Sequence, residues 1–316
     1  MKKLFTLALA LLAAVGALSL WPGRGPVMTV DVPEGTNSHR VADDLVSNGA
    51  LRSRLPFLAW VKLRHAGQKI HVGRYQFAAG RSAFWIVNDL IEGHTQKVRV
   101  VIPEGWASWQ IAERLAADGV CDPKAFLALV SEKKFEGYLF PATYDFEAAL
   151  LPSTVISRFK TKFDETWTPE MDVRAKAIGL TKNEVVTLAS IVEREVRAHE
   201  EGPMVAAVYT NRLKKGMRLE ADPTVQYAKG EWVSRLTYAD YRNTDSPYNT
   251  YRVKGLPPGP ICSPGLNSLK SALWPAQTNA LFFVASEDGL HHSFSDSYRD
   301  HTNKVNKRNR LRRQQK

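Results

Sequence analysis

The chain of 316 residues is 44% hydrophobic and 24% charged, which is enough apolar content to bury a core and too much for a disordered protein. Length alone gives one large or two ordinary domains. The formal charge of +11 is uneven, because residues 303–316 hold seven Lys or Arg and no acid, leaving +4 for the rest.

In chain order, Lys2 and Lys3 precede a nearly unbroken apolar run from Leu4 to Trp21, ended by Pro22, Gly23 and Arg24. That is an export signal. Its length falls between a cleavable apolar segment of about 7–15 residues and a spanning helix of about 17–25. Val15 and Ala17 would permit cleavage, while the leading charges and the length favour a retained anchor over residues 1–24 with its amino end inside. The remaining chain then works outside the cytoplasm. There a basic tail is either merely solvated or meets anionic headgroups and wall polymers, and nucleic acid is not expected as a partner. Export permits a disulfide, but Cys121 and Cys262 alone make no framework, and their pairing stays open.

Val32-Pro33-Glu34-Gly35-Thr36, followed by Val41, Leu45 and Gly49, recurs as Ile102-Pro103-Glu104-Gly105-Trp106, followed by Ile111, Leu115 and Gly119. Each copy predicts a short strand, a Glu-Gly turn and an amphipathic helix. A partial third echo runs from Gly80-Arg81-Ser82 through Ile86 and Leu90 to Gly93. Alternation predicts strands at Gly73 to Phe77 and Gln96 to Ile102, giving a small mixed domain from about Met28 to Gln96. From Glu104 to about Arg158 the pattern is helical, interrupted by the aromatic stretch Phe135 to Phe146.

Thr181-Lys182-Asn183-Glu184 is a capping box opening a helix expected to reach about Glu201. Gly202-Pro203 then starts a second helix that stops near Gly216. So short a connection makes the two antiparallel and brings Glu195 beside Tyr209. Beyond Gly216, prolines and glycines predict rigid loops, then a helix from about Pro264 to Trp274 and a strand from Ala280 to Ala285. The fold class is α+β.

Two glutamates on the capped helix compete for a chemical role. Glu193 is placed to pair with Arg197 on an exposed edge. Glu195 follows Val192, Ile191 and Leu188 at spacings of three, four and seven, so it projects from the apolar arc. A carboxylate there is costly unless something requires it, and burial raises its pKa toward that of a general acid. The structural alternative is a core pair with Arg212. Asp222 and Glu220 could supply a second carboxylate of the kind glycoside hydrolysis uses, although Asp222-Pro223-Thr224 reads first as a turn or cap. His291, His292 and His301 form no metal set, a hydrogen-bonding or substrate-contacting histidine is the expected reading, and neither metal nor cofactor is expected. Tyr209, Tyr227, Tyr248 and Tyr251, with Asn211, Asn249 and Thr250, are the aromatic and polar mixture that suits a sugar-binding groove.

Ordered blocks from about Thr29 to His301 carry a resemblance. They are Glu136-Gly137-Tyr138-Leu139-Phe140-Pro141, Leu188 to Glu195, Val208-Tyr209-Thr210-Asn211-Arg212-Leu213, Asp222-Pro223-Thr224-Val225-Gln226-Tyr227, Tyr248-Asn249-Thr250-Tyr251, Gly255 to Ile261 and His292-Ser293-Phe294. Together they resemble the YceG-like endolytic murein transglycosylases. The resemblance implies a single-pass inner-membrane protein with its catalytic part in the periplasm. It divides the chain into an anchor (1–24), a LysM-like module (25–98), a mixed α/β catalytic domain (99–302) and the basic tail (303–316). It maps the catalytic role onto Glu195. Substrate binding would fall to Tyr209, Asn211, Arg212, Asp222, Thr224, Tyr227, Tyr248, Asn249, Tyr251 and His292. The implied partners are peptidoglycan strands and peptidoglycan synthases, and the implied reaction leaves a 1,6-anhydro end, which needs no second carboxylate because the attacking hydroxyl is tethered to the substrate. Arg194, Ala142 and Glu220 depart from the family's usual residues, the first on a face expected to be exposed. A wall-binding scaffold without catalysis and a two-carboxylate muramidase are the rival readings.

Overall fold

A computed structural model of the chain describes residues 25–314. The expected anchor, residues 1–24, lies outside the described residues. No helix among the described residues is long and apolar enough to cross a membrane.

The chain folds as two units. The first takes in residues 25–100, 112–126 and 143–155, so it draws on segments well past the small domain expected to close near Gln96. Its opening repeat is β1 (Val27–Val32), α1 (Ser38–Ser47), α2 (Arg54–Leu63), β2 (Gly73–Ala78) and α3 (Ala83–Glu92). β1 and β2 pair antiparallel with Val30 opposite Tyr75, and Val30, Val32, Leu45, Phe57, Phe77 and Leu90 close a core between the ribbon and the helices. The Tyr75 hydroxyl, carried into that core, donates to the His71 carbonyl at 2.7 Å, which removes the cost of burying it unpaired.

The internal repeat is real in three dimensions. β3 (Lys97–Val101) leads through a turn to α4 (Ser108–Ala117), as β1 leads to α1. Gly35 and Gly105 hold φ of 78° and 76°, a left-handed conformation that only glycine adopts without penalty and that each Pro-Glu-Gly turn requires. After α5 (Pro123–Lys133), the aromatic stretch contains β4 (Thr143–Glu147), which pairs with β3. This strand was not expected, because Thr143-Tyr144-Asp145-Phe146 alternates over too few residues to stand out from its aromatic surroundings.

The second unit comprises residues 101–111, 127–142 and 156 onward. Its helices are α6 (Pro152–Thr166), which begins in the first unit, α7 (Pro169–Ala177), α8 (Lys182–Glu195), α9 (Gly202–Lys214), α10 (Asp222–Lys229), α11 (Tyr238–Asn243) and α12 (Leu266–Leu273). β5 (Phe282–Ala285) and β6 (His292–Ser295) form an antiparallel hairpin, followed by α13 (Tyr298–Gln314). Residues 303–314 of the basic tail are therefore the continuation of a 17-residue helix rather than a separate segment. α8 is the spine of the core, with Val185 through Val192 all buried, and its capping box forms as expected, Glu184 N–H to Thr181 Oγ1 and Thr181 N–H to Glu184 Oε2.

α8 ends at Glu195, six residues before the expected stop. Val196 turns to an extended conformation (φ −80°, ψ 139°). The following residues are claimed by the β5–β6 hairpin: Arg197 donates to the Gly289 carbonyl, and Glu201 accepts from both the backbone and the Nδ1 of His292 at 2.9 and 2.8 Å. Tertiary bonds of this kind outweigh helix propensity, which is a weak local preference.

Candidate active site

Because α8 stops at Glu195, its carboxylate stands at the carbonyl end of this largely buried helix, just past the apolar arc of Leu188, Ile191 and Val192. α9 returns alongside and sets Tyr209, itself buried, within reach: the phenol donates to Glu195 Oε1 at 2.8 Å. The hairpin geometry foreseen for this pair is what the structure contains. Burial is the main cause that pushes Glu195 up to about 7. The Tyr209 hydrogen bond pulls the other way, the charge of Asp222 adds to the rise, and Arg194 and Arg212 oppose it. The partial negative charge at a helix carboxyl end also disfavours ionisation there.

Glu195 and Tyr209 open onto a cleft of about 270 Å³, which Arg212, Asp222, Tyr251 and His301 also line. The core pair of Glu195 with Arg212 is absent. Arg212 instead spends its fork on the carbonyls of Leu281 and Leu219, both at 2.7 Å, and on Glu220 at 3.3 Å, with Phe282 packed beneath it. Its role is to tie α9 to the cleft wall. Glu220 sits in that wall at φ 53°, a left-handed conformation that costs a non-glycine residue about 1–2 kcal/mol.

Asp222 corrects a second expectation. Asp222-Pro223-Thr224 does open a helix, α10, but Ala221 is the N-cap and the Asp222 side chain makes no capping bond. Its carboxylate faces the cleft and accepts from the hydroxyls of Tyr251 at 2.6 Å and Tyr241 at 3.3 Å. Both phenols are held neutral by burial and by that carboxylate, Tyr241 at about 12 and Tyr251 higher still.

The other proposed substrate contacts lie outside the cleft lining. Asn211 donates to the carbonyls of Thr278 and Ala280 and borders a larger cavity of about 830 Å³, whose lining has no acid or histidine. Thr224 and Thr250 share a buried hydroxyl pair at 2.9 Å. Asn249 ties its loop together through the carbonyls of Tyr241 and Thr244. Tyr227 and Tyr248 pack with their rings tilted 47° apart, and Tyr227 donates to Glu136, whose carboxylate is raised by burial and also accepts from Ser108. His292 is a fastener between β6 and Glu201.

Two further side chains on α8 differ from expectation. Glu193 does not pair with Arg197 on an exposed edge; it accepts from the Gly265 N–H at 2.9 Å and so caps α12. Arg194 is not a free surface residue, since its guanidinium lies 4.1 Å from the Trp232 ring centre and donates to the Gly105 carbonyl. Phe283 lines the cleft and Tyr241 donates to its Asp222, neither singled out by sequence reasoning, while His301, which the sequence offered among the hydrogen-bonding or substrate-contacting histidines, lines the cleft too. The Thr237 to Asp240 capping box that positions Tyr241 was a readable signal. Cys121 and Cys262 are both buried and free. Among the described residues no three His, Cys, Asp or Glu side chains converge on a metal position.

A partly exposed carboxylic acid pushed up to about 7, in a cleft walled by phenols and a second carboxylate, is an arrangement suited to acid–base chemistry. The profile of the YceG-like family matches residues 30–307, and the chain belongs to that family. It is 31% identical over 292 residues to the endolytic murein transglycosylase of Bacillus subtilis, covering 83% of this chain and 79% of that protein. It is 28% identical to the endolytic murein transglycosylase of Streptococcus pneumoniae serotype 2, covering 88% of this chain but only 58% of that longer protein. A crystal structure of a yceG-like protein from Listeria monocytogenes superposes with a TM-score of 0.58 at 30% identity, covering 88% of this chain and 98% of the other.

Proposed function

We propose that this protein is a lytic transglycosylase that cuts peptidoglycan strands internally, at the β-1,4 bond between N-acetylmuramic acid and N-acetylglucosamine, with Glu195 as its acid and base. The observation that carries the reading is Glu195 itself, at about 7 and hydrogen-bonded by Tyr209 at the edge of an open cleft. The protonated carboxyl gives its proton to the glycosidic oxygen as the bond to C1 breaks. The carboxylate so formed takes the proton of the muramic C6 hydroxyl as that oxygen closes on C1. The acid is regenerated, no water is consumed, and the strand ends in a 1,6-anhydro ring. A tethered nucleophile needs no protein carboxylate to capture C1.

A two-carboxylate muramidase is the second reading, favoured by the presence of Asp222 in the same cleft. Against it, two phenols already occupy the Asp222 oxygens, which orients the group and blunts its nucleophilicity. Mass spectrometry of products from isolated peptidoglycan distinguishes the readings. Transglycosylation yields ends one water lighter than the reducing ends of hydrolysis, and Glu195→Gln is expected to release neither. Release by the purified variant would remove Glu195 from the mechanism.

We further propose that residues 1–24 anchor the protein in the inner membrane, with residues 25–98 serving as a LysM-like glycan-binding module in the periplasm, where strand ending would accompany the work of peptidoglycan synthases. A mature protein beginning at Met1 and fractionating with the inner membrane is the expected result, whereas an amino terminus near Leu18 would show cleavage instead.

A further inference from the structure

His301 belongs to α13, yet its ring lines the same cleft as Glu195. It is fixed there by stacking on Phe282, with centroids 5.3 Å apart and planes 25° from parallel. Phe282 in turn has the buried Arg212 guanidinium 5.1 Å from its ring centre. The Nδ1 of His301 is buried and has no hydrogen-bond partner among the described residues, while Nε2 is neither buried nor bonded to any of them. A proton on Nδ1 would be a buried donor with no acceptor, which is costly. The tautomer that avoids this carries its proton on Nε2, the less buried ring nitrogen of a residue that lines the cleft.

We propose that His301 is a substrate-binding residue, donating a hydrogen bond from Nε2 to an acceptor oxygen of the bound amino sugar. The proposal rests on the reading of the cleft as a glycan-cleaving site. Burial, and then the charges of Arg212 and Arg308, hold the imidazole below its ordinary range, and Lys304 adds to them while Asp300 opposes. A neutral donor suits a site where positive charge builds on C1 during bond cleavage, since an imidazolium would repel it.

The test is a pair of substitutions that separate the donor from the stack. His301→Phe keeps an aromatic ring on Phe282 and removes the N–H, whereas His301→Gln loses the ring and keeps an amide N–H near the Nε2 position. With isolated peptidoglycan as substrate, His301→Phe is expected to lower kcat/KM about tenfold, the scale of one lost hydrogen bond to substrate, and His301→Gln to recover to within about threefold of the parent. A ring needed only for packing gives the opposite order, Phe near the parent and Gln impaired, and that result overturns the proposal. Should either variant unfold, nitrogen-15 spectra of histidine in the full chain report the tautomer directly: Nε2–H supports the donor and Nδ1–H overturns it. Failure of the parent to cleave peptidoglycan would instead overturn the reading of the cleft itself, whatever the variants do.

Discussion

At the scale of single residues, the account turns on a proton held by Glu195 at neutral pH. As a general acid Glu195 must be protonated, so activity is expected to fall as pH rises through about 7. The Tyr209 phenol steadies the carboxylate and lowers that value. Tyr209→Phe is accordingly expected to move the alkaline limb of the pH–kcat/KM profile upward, and an unmoved limb would show that the hydrogen bond does not act on the titrating group. The same proton appears in stability. With a folded value of about 7 against an ordinary 4.5, the native state binds the proton more tightly than the unfolded chain. This contribution is therefore whole below about pH 4.5 and is lost as pH rises through about 7. Glu195→Gln has nothing to ionise. Above pH 7 it is expected to be more stable than the parent, on the order of 1–3 kcal/mol, and near pH 4 about equal. Urea unfolding at the two pH values checks this, and an equal difference at both would contradict it.

At the scale of elements, α8 shows what local sequence dictates and where it stops. The capping box and the apolar arc were readable because each rests on residues within one or two turns of each other. The stop at Glu195 was not readable, because it depends on bonds from Arg197 and Glu201 to a hairpin about ninety residues later. β4 escaped for a similar reason, its pairing with β3 being supplied by the fold rather than by its own few residues. The Glu136 to Pro141 stretch, by contrast, carries a sharp sequence constraint. Gly137 has φ 83°, and a Cβ there would sit 2.4 Å from Pro260 and 3.0 Å from Val186 of α8. Only glycine lets this loop close onto the spine. Gly137→Ala is expected to destabilise the protein by about 2–4 kcal/mol in denaturant unfolding, and a loss below about 0.5 kcal/mol would show that the loop does not need this approach.

At the scale of the molecule, the cleft gathers side chains from α8, α9, α10, the loop holding Tyr251, β5 and α13. Glu195 beside Tyr209 was legible as the meeting of two consecutive helices. The sorting of polar residues around them was not. Asn211, Thr224 and Asn249 carry the groups a sugar site needs, yet each is spent on neighbouring backbone or hydroxyl partners, and sequence does not distinguish a side chain that ties a loop from one that faces a ligand. His301 was offered only as one of three histidines for hydrogen bonding or substrate contact, because it lies on a strongly polar helix whose pattern gives no sign that one turn of it reaches the cleft. The central claim, that one glutamate suffices because the nucleophile belongs to the substrate, is tested most directly by running the reaction in water enriched in oxygen-18. Tethered attack leaves the cleaved muramic end without the heavy isotope, and that is the predicted result. Incorporation of one heavy oxygen at each new end would mean that water is the nucleophile, and would contradict the account.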